Sequence, residues 1–465
     1  MSAHLHVGAA RVKLDPPVGI AMAGYGRRTG HSTGIHDDLT AGALVFSDGT
    51  RKAAVVSVEV LALGIRICDS IAEQVAAHTD IPPEAVMVCA SHTHSGPHFN
   101  IFATPRGDSS PDATGRDLNW ERTLPDRIAR AVVDANAHLR PAAIATASAQ
   151  FGLGTNRRLM RADGTIQLAP NYAGAVDHEL KVLGLFGATR GAGAIAFMLN
   201  YPCHGVVLCE DNLLYSRDWP GFAIDALQQS TTGLSSGEPP IALFTQGASG
   251  NIDPVRRGDF SAGHEWGLAA ASLASAALTR APRTGSAHLV TRRVPVAMKL
   301  CDLSARLAIA RANAQQTELA LKNHAGVGGI QQKRLTDQHQ LSLKELGAME
   351  ALEDSNRRDR RVDQSAGELH THMTLLAIGD LALVGVPGEL FAELGIAIKA
   401  NPYFRQTLVL GYCNDLVGYI PTCEAYEVGG YEVETSRVAQ GSGELLVHLA
   451  LAHLAEMHQE SVKLK

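Results

Sequence analysis

Short apolar runs broken by Gly, Pro and charged residues alternate along this chain with longer stretches whose apolar residues recur three and four apart. Runs of the first kind predict strands over 5–14, 40–46, 52–60, 86–90, 142–149, 179–186, 194–199, 241–245, 287–299, 374–378, 381–386 and 406–412. The helical spacing predicts helices over 65–78, 119–139, 264–278 and 445–457, and 216–227 reads as a turn feeding another. Ser47 to Thr50, SDGT, reads as the turn of a hairpin between 40–46 and 52–60. Residues 24–37 and 414–436 fit neither period and are expected to be irregular. The stretch 303–361 differs in character: it is long, charged and helical by propensity, and it is interrupted at Gly326-Val327-Gly328-Gly329. It predicts two helices folded as a hairpin and inserted between strands, a solvated structural arm by expectation, with a subunit contact as the alternative role. The expected class is therefore α/β, with mixed β-sheets flanked by helices and an inserted helical hairpin at about 303–361.

Composition narrows the function classes. Hydrophobic residues make up 45% and charged residues 19% of 465 positions, which supports a substantial core. The net charge of -6 carries no basic footprint for nucleic acid. No apolar run approaches the roughly 18 residues of a membrane helix. The opening segment, MSAHLHVGAARVKLDPP, lacks the charged and apolar blocks of a signal peptide. Seven scattered cysteines without a CxxC argue against a disulfide framework or a thiolate zinc site. Together these point to a reduced, soluble, cytoplasmic protein, with a secreted form lacking its leader as the alternative.

Candidate chemistry gathers where expected strands run out into polar residues. The run Val86–Ala90 ends in SHTHSGPH, where His92 and His94 stand two apart; in extended chain both imidazoles share a face. Two neutral imidazoles at one strand end make a plausible half-site for zinc, and a pair of surface loop histidines gives the same sequence. Further ligands must decide between the two. His204 lies just past another expected strand, Glu389 stands at a strand-to-helix junction in PGEL, and residues 414–431 follow a third. Three N or O ligands with an open fourth position would form a catalytic zinc site. His98 is a second-tier candidate at the mouth, and Asp218 is either an outer partner of His204 or a helix cap. His370-Thr371-His372 repeats the pair but enters a strand, where sites in open sheets do not lie. GLSSG at 233–237 satisfies a nucleophile-elbow pattern, yet Ser235 sits in a loop after a helix. QGASGN lacks the ending of a phosphate loop and is expected to contribute backbone near the site.

Several motifs, taken in order, carry a resemblance. They are GAARVKLDPPVGIAMAGYG, GIHDDLTAGALVF, SHTHSGP, the Asn156-Arg157 pair, His204 in its strand-end setting, SRDWPGFA, FTQGASGNIDP, GVPGEL and GYIPTCEAYEVGGYE. The chain resembles the neutral ceramidase family in its zinc-bearing N-terminal hydrolase domain. The resemblance implies zinc ligands at His92, His204, Glu389 and Tyr419, and an acid/base residue at His94. It implies that Arg157 and Tyr431 hold or polarise the substrate carbonyl. It also implies hydrolysis of the carbon–nitrogen bond of an N-acyl substrate, a small-molecule amide or a lipid amide. The organisation expected is one hydrolase domain over 1–465, without the immunoglobulin-like C-terminal domain of longer ceramidases.

The chain departs from the family pattern at Glu424-Ala425-Tyr426, where two acids usually precede the tyrosine, at Gly250-Asn251 in place of Gly-Asp, and at Arg158 after Asn156-Arg157. Metal and hydrolysis carry over better than ceramide does. Two alternatives stand beside this reading. One is a barrel-type metal-dependent amidohydrolase with HxH on its first strand; the other is a non-catalytic ligand-binding relative.

Overall fold

The computed structural model describes residues 4–99, 115–189, 191–232, 239–285, 287–324 and 329–464. The apolar runs pair into an eight-stranded sheet in the order Ile241–Gln246, Ala194–Tyr201, Glu179–Gly187, Arg140–Gln150, His6–Lys13, Thr40–Ser47, Lys52–Val58, Val86–Ala90. Two neighbouring pairs are parallel, 52–58 with 86–90 and 194–201 with 241–246; the others are antiparallel. The sheet curls until strand 241–246 packs against 40–47, 52–58 and 86–90. A second sheet orders Leu289–Lys299, Glu368–Ile378, Leu381–Gly385 and Gln406–Leu410, with Val362–Asp363 beside 368–378. The class is mixed α/β, and among the described residues no closed barrel forms, which removes the barrel alternative.

Strands that must be buried on both faces are uniformly apolar. Thr40–Ser47 and Val86–Ala90 are buried along their whole length. Helices Ile65–His78 and Leu118–Ala137 cover one face of the large sheet by their apolar stripes. Asp117 caps the second of these by accepting from the Trp120 amide. Helices Asp218–Thr232 and Phe260–Leu278 pack on each other, and Ser442–Leu464 closes the second sheet. The charged insertion forms Ser304–Asn323 and Ile330–Arg358, packed as a hairpin. All seven cysteines are free.

One pair of strands was not anticipated, and one expectation needs correction. Residues 151–178 hold an antiparallel pair, Gly154–Met160 with Ile166–Asn171, whose first strand also pairs with Ile252–Pro254. The first is buried but polar, with Thr155, Asn156, Arg157 and Arg158 in a row, and the second is largely exposed, so neither shows an apolar alternation for a pattern to catch. The segment 414–436 is not irregular throughout: it contains a two-residue strand, Tyr419–Ile420, and the short helices Cys423–Val428 and Tyr431–Glu434. Residues 100–114, which follow His98 and Phe99 in the chain, and Ser235 lie outside the described residues.

Candidate metal centre and active site

The loops that leave these strands are stitched together by backbone contacts, and the stitching places the side chains. Thr93 forms a parallel bridge with Gly205, and the His94 amide donates to the Gly205 carbonyl at 3.3 Å. The Ala90 amide donates to the Tyr412 carbonyl at 3.2 Å, tying the first sheet to the second. Glu389–Leu390 pairs in parallel with Tyr419–Ile420, with Glu389 directly opposite Tyr419. Gly250 donates to the Leu390 carbonyl at 2.9 Å and packs so closely that a Cβ there would meet the Glu389 carbonyl oxygen at 2.4 Å. QGASGN thus takes the backbone role expected of it.

His92 and His94 do come together, but not by lying on one face of an extended strand. His92 has φ of 62°, a left-handed conformation that a branched-chain-free but bulky residue adopts only under constraint. The turn it makes brings the two rings into an edge-to-face contact with centroids 4.7 Å apart. His204 joins them, its ring 4.7 Å from that of His92. The ligand nitrogens of His92, His94 and His204 lie within 4.8 Å of one another, a group that could hold a metal ion.

Hydrogen bonds fix which nitrogen faces inward. His92 Nδ1 is 2.8 Å from the Leu61 carbonyl, and His204 Nδ1 lies 2.9 Å from that of Ser249 and 3.0 Å from that of Ile252. A carbonyl only accepts, so each Nδ1 carries its proton and each Nε2 presents a lone pair. Those two Nε2 atoms face one carboxylate oxygen of Glu389, at 3.8 Å from His92 and 3.5 Å from His204. Three lone-pair atoms turned toward one another in a buried site repel unless a cation lies among them, so the residues fit a divalent metal. Backbone carbonyls behind both imidazoles are the supporting partners that metal-bound histidines usually have. His94 differs. Its Nε2 is 3.1 Å from His92 Nε2, yet its Nδ1 is buried without a partner.

Electrostatics follow from burial. Desolvation depresses His92 to about 3 and also pushes His94 well below the ordinary imidazole value, so both rings are neutral. Burial would raise the Glu389 carboxyl, but His204, His92 and Arg157 outweigh it and hold it below its usual value. Desolvation lifts the Tyr419 hydroxyl well above the usual phenol value, as the Glu389 charge also does.

Arg157 sits at the centre of the polar support. Its Nε donates to Glu432 at 2.8 Å and Nη1 to Asp253 at 3.0 Å, while Nη2 reaches the Gly250 carbonyl at 2.9 Å and the Tyr419 hydroxyl at 3.1 Å. Nη1 also lies 3.4 Å from His204 Nε2. Four of these contacts give an N–H an oxygen acceptor; the fifth, to His204 Nε2, points at the one lone pair that a metal would take. The Tyr431 ring meets that of Tyr419 edge-on at 5.7 Å, and it is half exposed where Tyr419 is not. His94, His204, Arg157, Tyr419 and Tyr431 line a cleft of about 760 Å³, with His92 and Glu389 behind them.

Other expectations resolve plainly. Asp218 does not touch the His204 ring: its carboxylate accepts from the amides of Val207, Leu208 and Trp219, so it pins the loop after His204. Trp219 Nε1 then donates to the His204 carbonyl at 3.1 Å. His98 lines a neighbouring cavity of about 350 Å³ with Met22 and Leu61. His372 lies on the second sheet, 3.3 Å from Arg293.

Three contributors escaped the sequence reading. Tyr412 stacks on His92 with centroids 4.0 Å apart and donates to Glu389 at 3.3 Å. Asp253 and Glu432 pair with Arg157, and Glu432 also takes Arg158 at 2.6 Å. The signal was present: both acids lie within the quoted motifs, and Tyr412 ends an apolar run where it reads as core.

A family model for the N-terminal region of neutral/alkaline non-lysosomal ceramidases matches residues 6–284. The chain belongs to that family. The neutral ceramidase of Pseudomonas aeruginosa is 24% identical over 247 residues, which cover 50% of this chain and 34% of that protein. The match thus spans about a third of that relative's length. The crystal structure of neutral ceramidase from Pseudomonas aeruginosa shares the fold with a TM-score of 0.72 at 18% identity, over 99% of this chain and 75% of that one. A ceramidase complexed with C2 gives the same TM-score, 0.72, at 17% identity, over 98% and 76%. The family match contains His92, His94, Arg157 and His204; Glu389, Tyr419 and Tyr431 lie beyond it, and the fold brings them to the same place.

Proposed function

We propose that this protein is a zinc-dependent hydrolase that cleaves the amide bond of an N-acyl substrate, as its family membership suggests. The observation that carries the reading is the convergence of His92 Nε2 and His204 Nε2 on one Glu389 carboxylate oxygen, at 3.8 and 3.5 Å, beside a cleft that His204 lines. These three atoms would hold the ion, with the Tyr419 hydroxyl as the fourth ligand. When bound, zinc polarises the carbonyl and brings the pKa of a water from about 16 to about 7.

The protein side chains do the rest. His94, kept neutral by burial, accepts the water's proton at Nε2 and passes it to the leaving nitrogen. Its missing Nδ1 anchor separates it from the two ligand histidines and suits a ring that must shift its proton. Tyr431, half exposed at the cleft, donates to the carbonyl oxygen as charge develops there. Arg157 acts from behind: with four N–H groups committed to oxygen acceptors, it orients Tyr419 and contributes its charge.

Assays of N-acyl amides with and without a chelator test this reading. Hydrolysis that stops on chelation and returns with zinc is expected; turnover indifferent to chelation contradicts it. Packing around His94 supplies a finer test. Gly24 lies at φ 98°, and a Cβ there would come within 2.5 Å of the His94 ring. Gly24→Ala should displace the ring and cost roughly 100-fold in kcat, the scale of a ~1 Å misplacement. Bound metal should be unchanged. A variant with the parent rate would show that His94 needs no such seat.

A further inference from the structure

The cleft is lined by more cationic than acidic side chains. Four cationic side chains face it, Arg27, Arg157, Arg257 and Lys344, against two acids, Glu210 and Asp253. This excess sits on a chain whose net charge is -6, so it is a local arrangement and not a reflection of composition. Two of the four are neutralised. Arg157 is paired with Glu432 and Asp253, and Arg257 with the other Asp253 oxygen at 2.5 Å. Arg27 and Lys344 have no ion-pair partner among the described residues, nor has Glu210; all three are exposed at the cleft, so the cations there outnumber the acid two to one.

They come from distant parts of the chain. Arg27 follows the Gly24-Tyr25-Gly26 turn that packs on His94, and Lys344 belongs to Ile330–Arg358 of the inserted hairpin. The hairpin is fixed to the site and does not project as a free arm: Arg306 donates to the carbonyl of Val433 at 3.1 Å, in the short helix that begins with Tyr431. Between the cationic rim and the polar base, Leu168, Pro170, Val206 and Val255 supply apolar wall.

We propose that Arg27 and Lys344 select an N-acyl amide whose amine part carries an anion, a carboxylate, sulfonate or phosphate, over a neutral amide of the same chain length. This rests on the hydrolase reading above. An acyl chain lies along the apolar wall, the amide reaches the base, and the anion meets the two unpaired cations at the rim.

The test uses the full-length, zinc-loaded protein and two amides, N-lauroylglycine and N-lauroylethanolamine. The ratio of their kcat/KM values is expected to favour the anionic amide and to shrink as salt rises. Lys344→Glu and Arg27→Glu should each lower that ratio about fivefold, the scale of an exposed ion pair, and Lys344→Arg should keep it. A ratio at or below one, or one that neither reversal moves, overturns the proposal. Should neither amide be cleaved, the hydrolase reading fails by itself. The charge preference is then read from binding of the matching non-cleavable dodecylsulfonamides of glycine and ethanolamine. Tighter binding of the anionic member that is lost in Lys344→Glu sustains it, and equal binding overturns it.

Discussion

Glu389→Ala is expected to lose the metal and, with it, almost all amide hydrolysis. Among the described residues, this carboxylate is the anion within ion-pair distance of both inward-turned imidazole nitrogens, at 3.8 and 3.5 Å. Without it, two neutral nitrogens and a phenol must hold a dication in a buried site. A Lewis acid contributes several kcal/mol to such a reaction, and about 1.4 kcal/mol is tenfold in rate, so the loss should be roughly a thousandfold or more. The backbone at this position keeps its ladder with Tyr419 and its bond to the Gly418 carbonyl at 3.0 Å, so the variant should fold. Elemental analysis and a thermal melt on the same sample separate metal loss from unfolding. Full metal content in the variant would remove Glu389 from the ligand set.

The second large effect is expected at His94, and it takes the opposite form. His94→Ala should keep its metal and lose turnover by ~100- to ~10,000-fold, the range for a positioned general acid or base. The difference lies in the anchors. His92 and His204 are held from behind by carbonyls of Leu61, Ser249 and Ile252, whereas no carbonyl holds the His94 Nδ1; its ring meets Tyr25 at 5.1 Å and His92 at 4.7 Å, and its Nε2 lies 3.1 Å from His92 Nε2. Its Nε2 is nonetheless close enough to the other nitrogens to share an ion. Metal content therefore decides its role: a variant that loses zinc makes His94 a third nitrogen ligand and moves the proton-transfer step elsewhere.

Much of the scaffold was legible because burial writes itself into composition. The runs that became Val86–Ala90, Ala194–Tyr201 and Leu381–Gly385 are apolar on both faces, and each hands the chain to a polar residue that the site uses. The inserted hairpin was legible for the opposite reason, since its two helices are mostly exposed and charged. What stayed hidden depends on long-range pairing. Arg157 lies on a strand whose partner, Ile252–Pro254, is far away in sequence, and the strand has no apolar period of its own. The turn at His92 was equally invisible, because positive φ is signalled by Gly or Asn and here a histidine adopts it. Tyr412, also at positive φ (52°), is one of the largest fully buried side chains, yet its hydroxyl is aimed at Glu389. Roles such as capping against orienting, as at Asp218, follow from which amides a carboxylate happens to face, and composition does not record that.

The inserted hairpin also changes how the site is understood. By placing Lys344 at the cleft while Arg306 ties it to the Tyr431 helix, it makes the entrance a property of this chain's own insertion. On the function and the selectivity proposed above, metal chemistry and substrate choice would reside in separate parts of the fold: strand-end loops for the first, and the hairpin with the Arg27 turn for the second.

Diffraction from crystals of the zinc-loaded protein, recorded on both sides of the zinc absorption edge, tests the central claim most directly. The account predicts one strong anomalous peak per chain, within coordination distance of His92 Nε2, His204 Nε2 and a Glu389 oxygen. A peak located elsewhere, or none at this cluster in a fully active preparation, would contradict it.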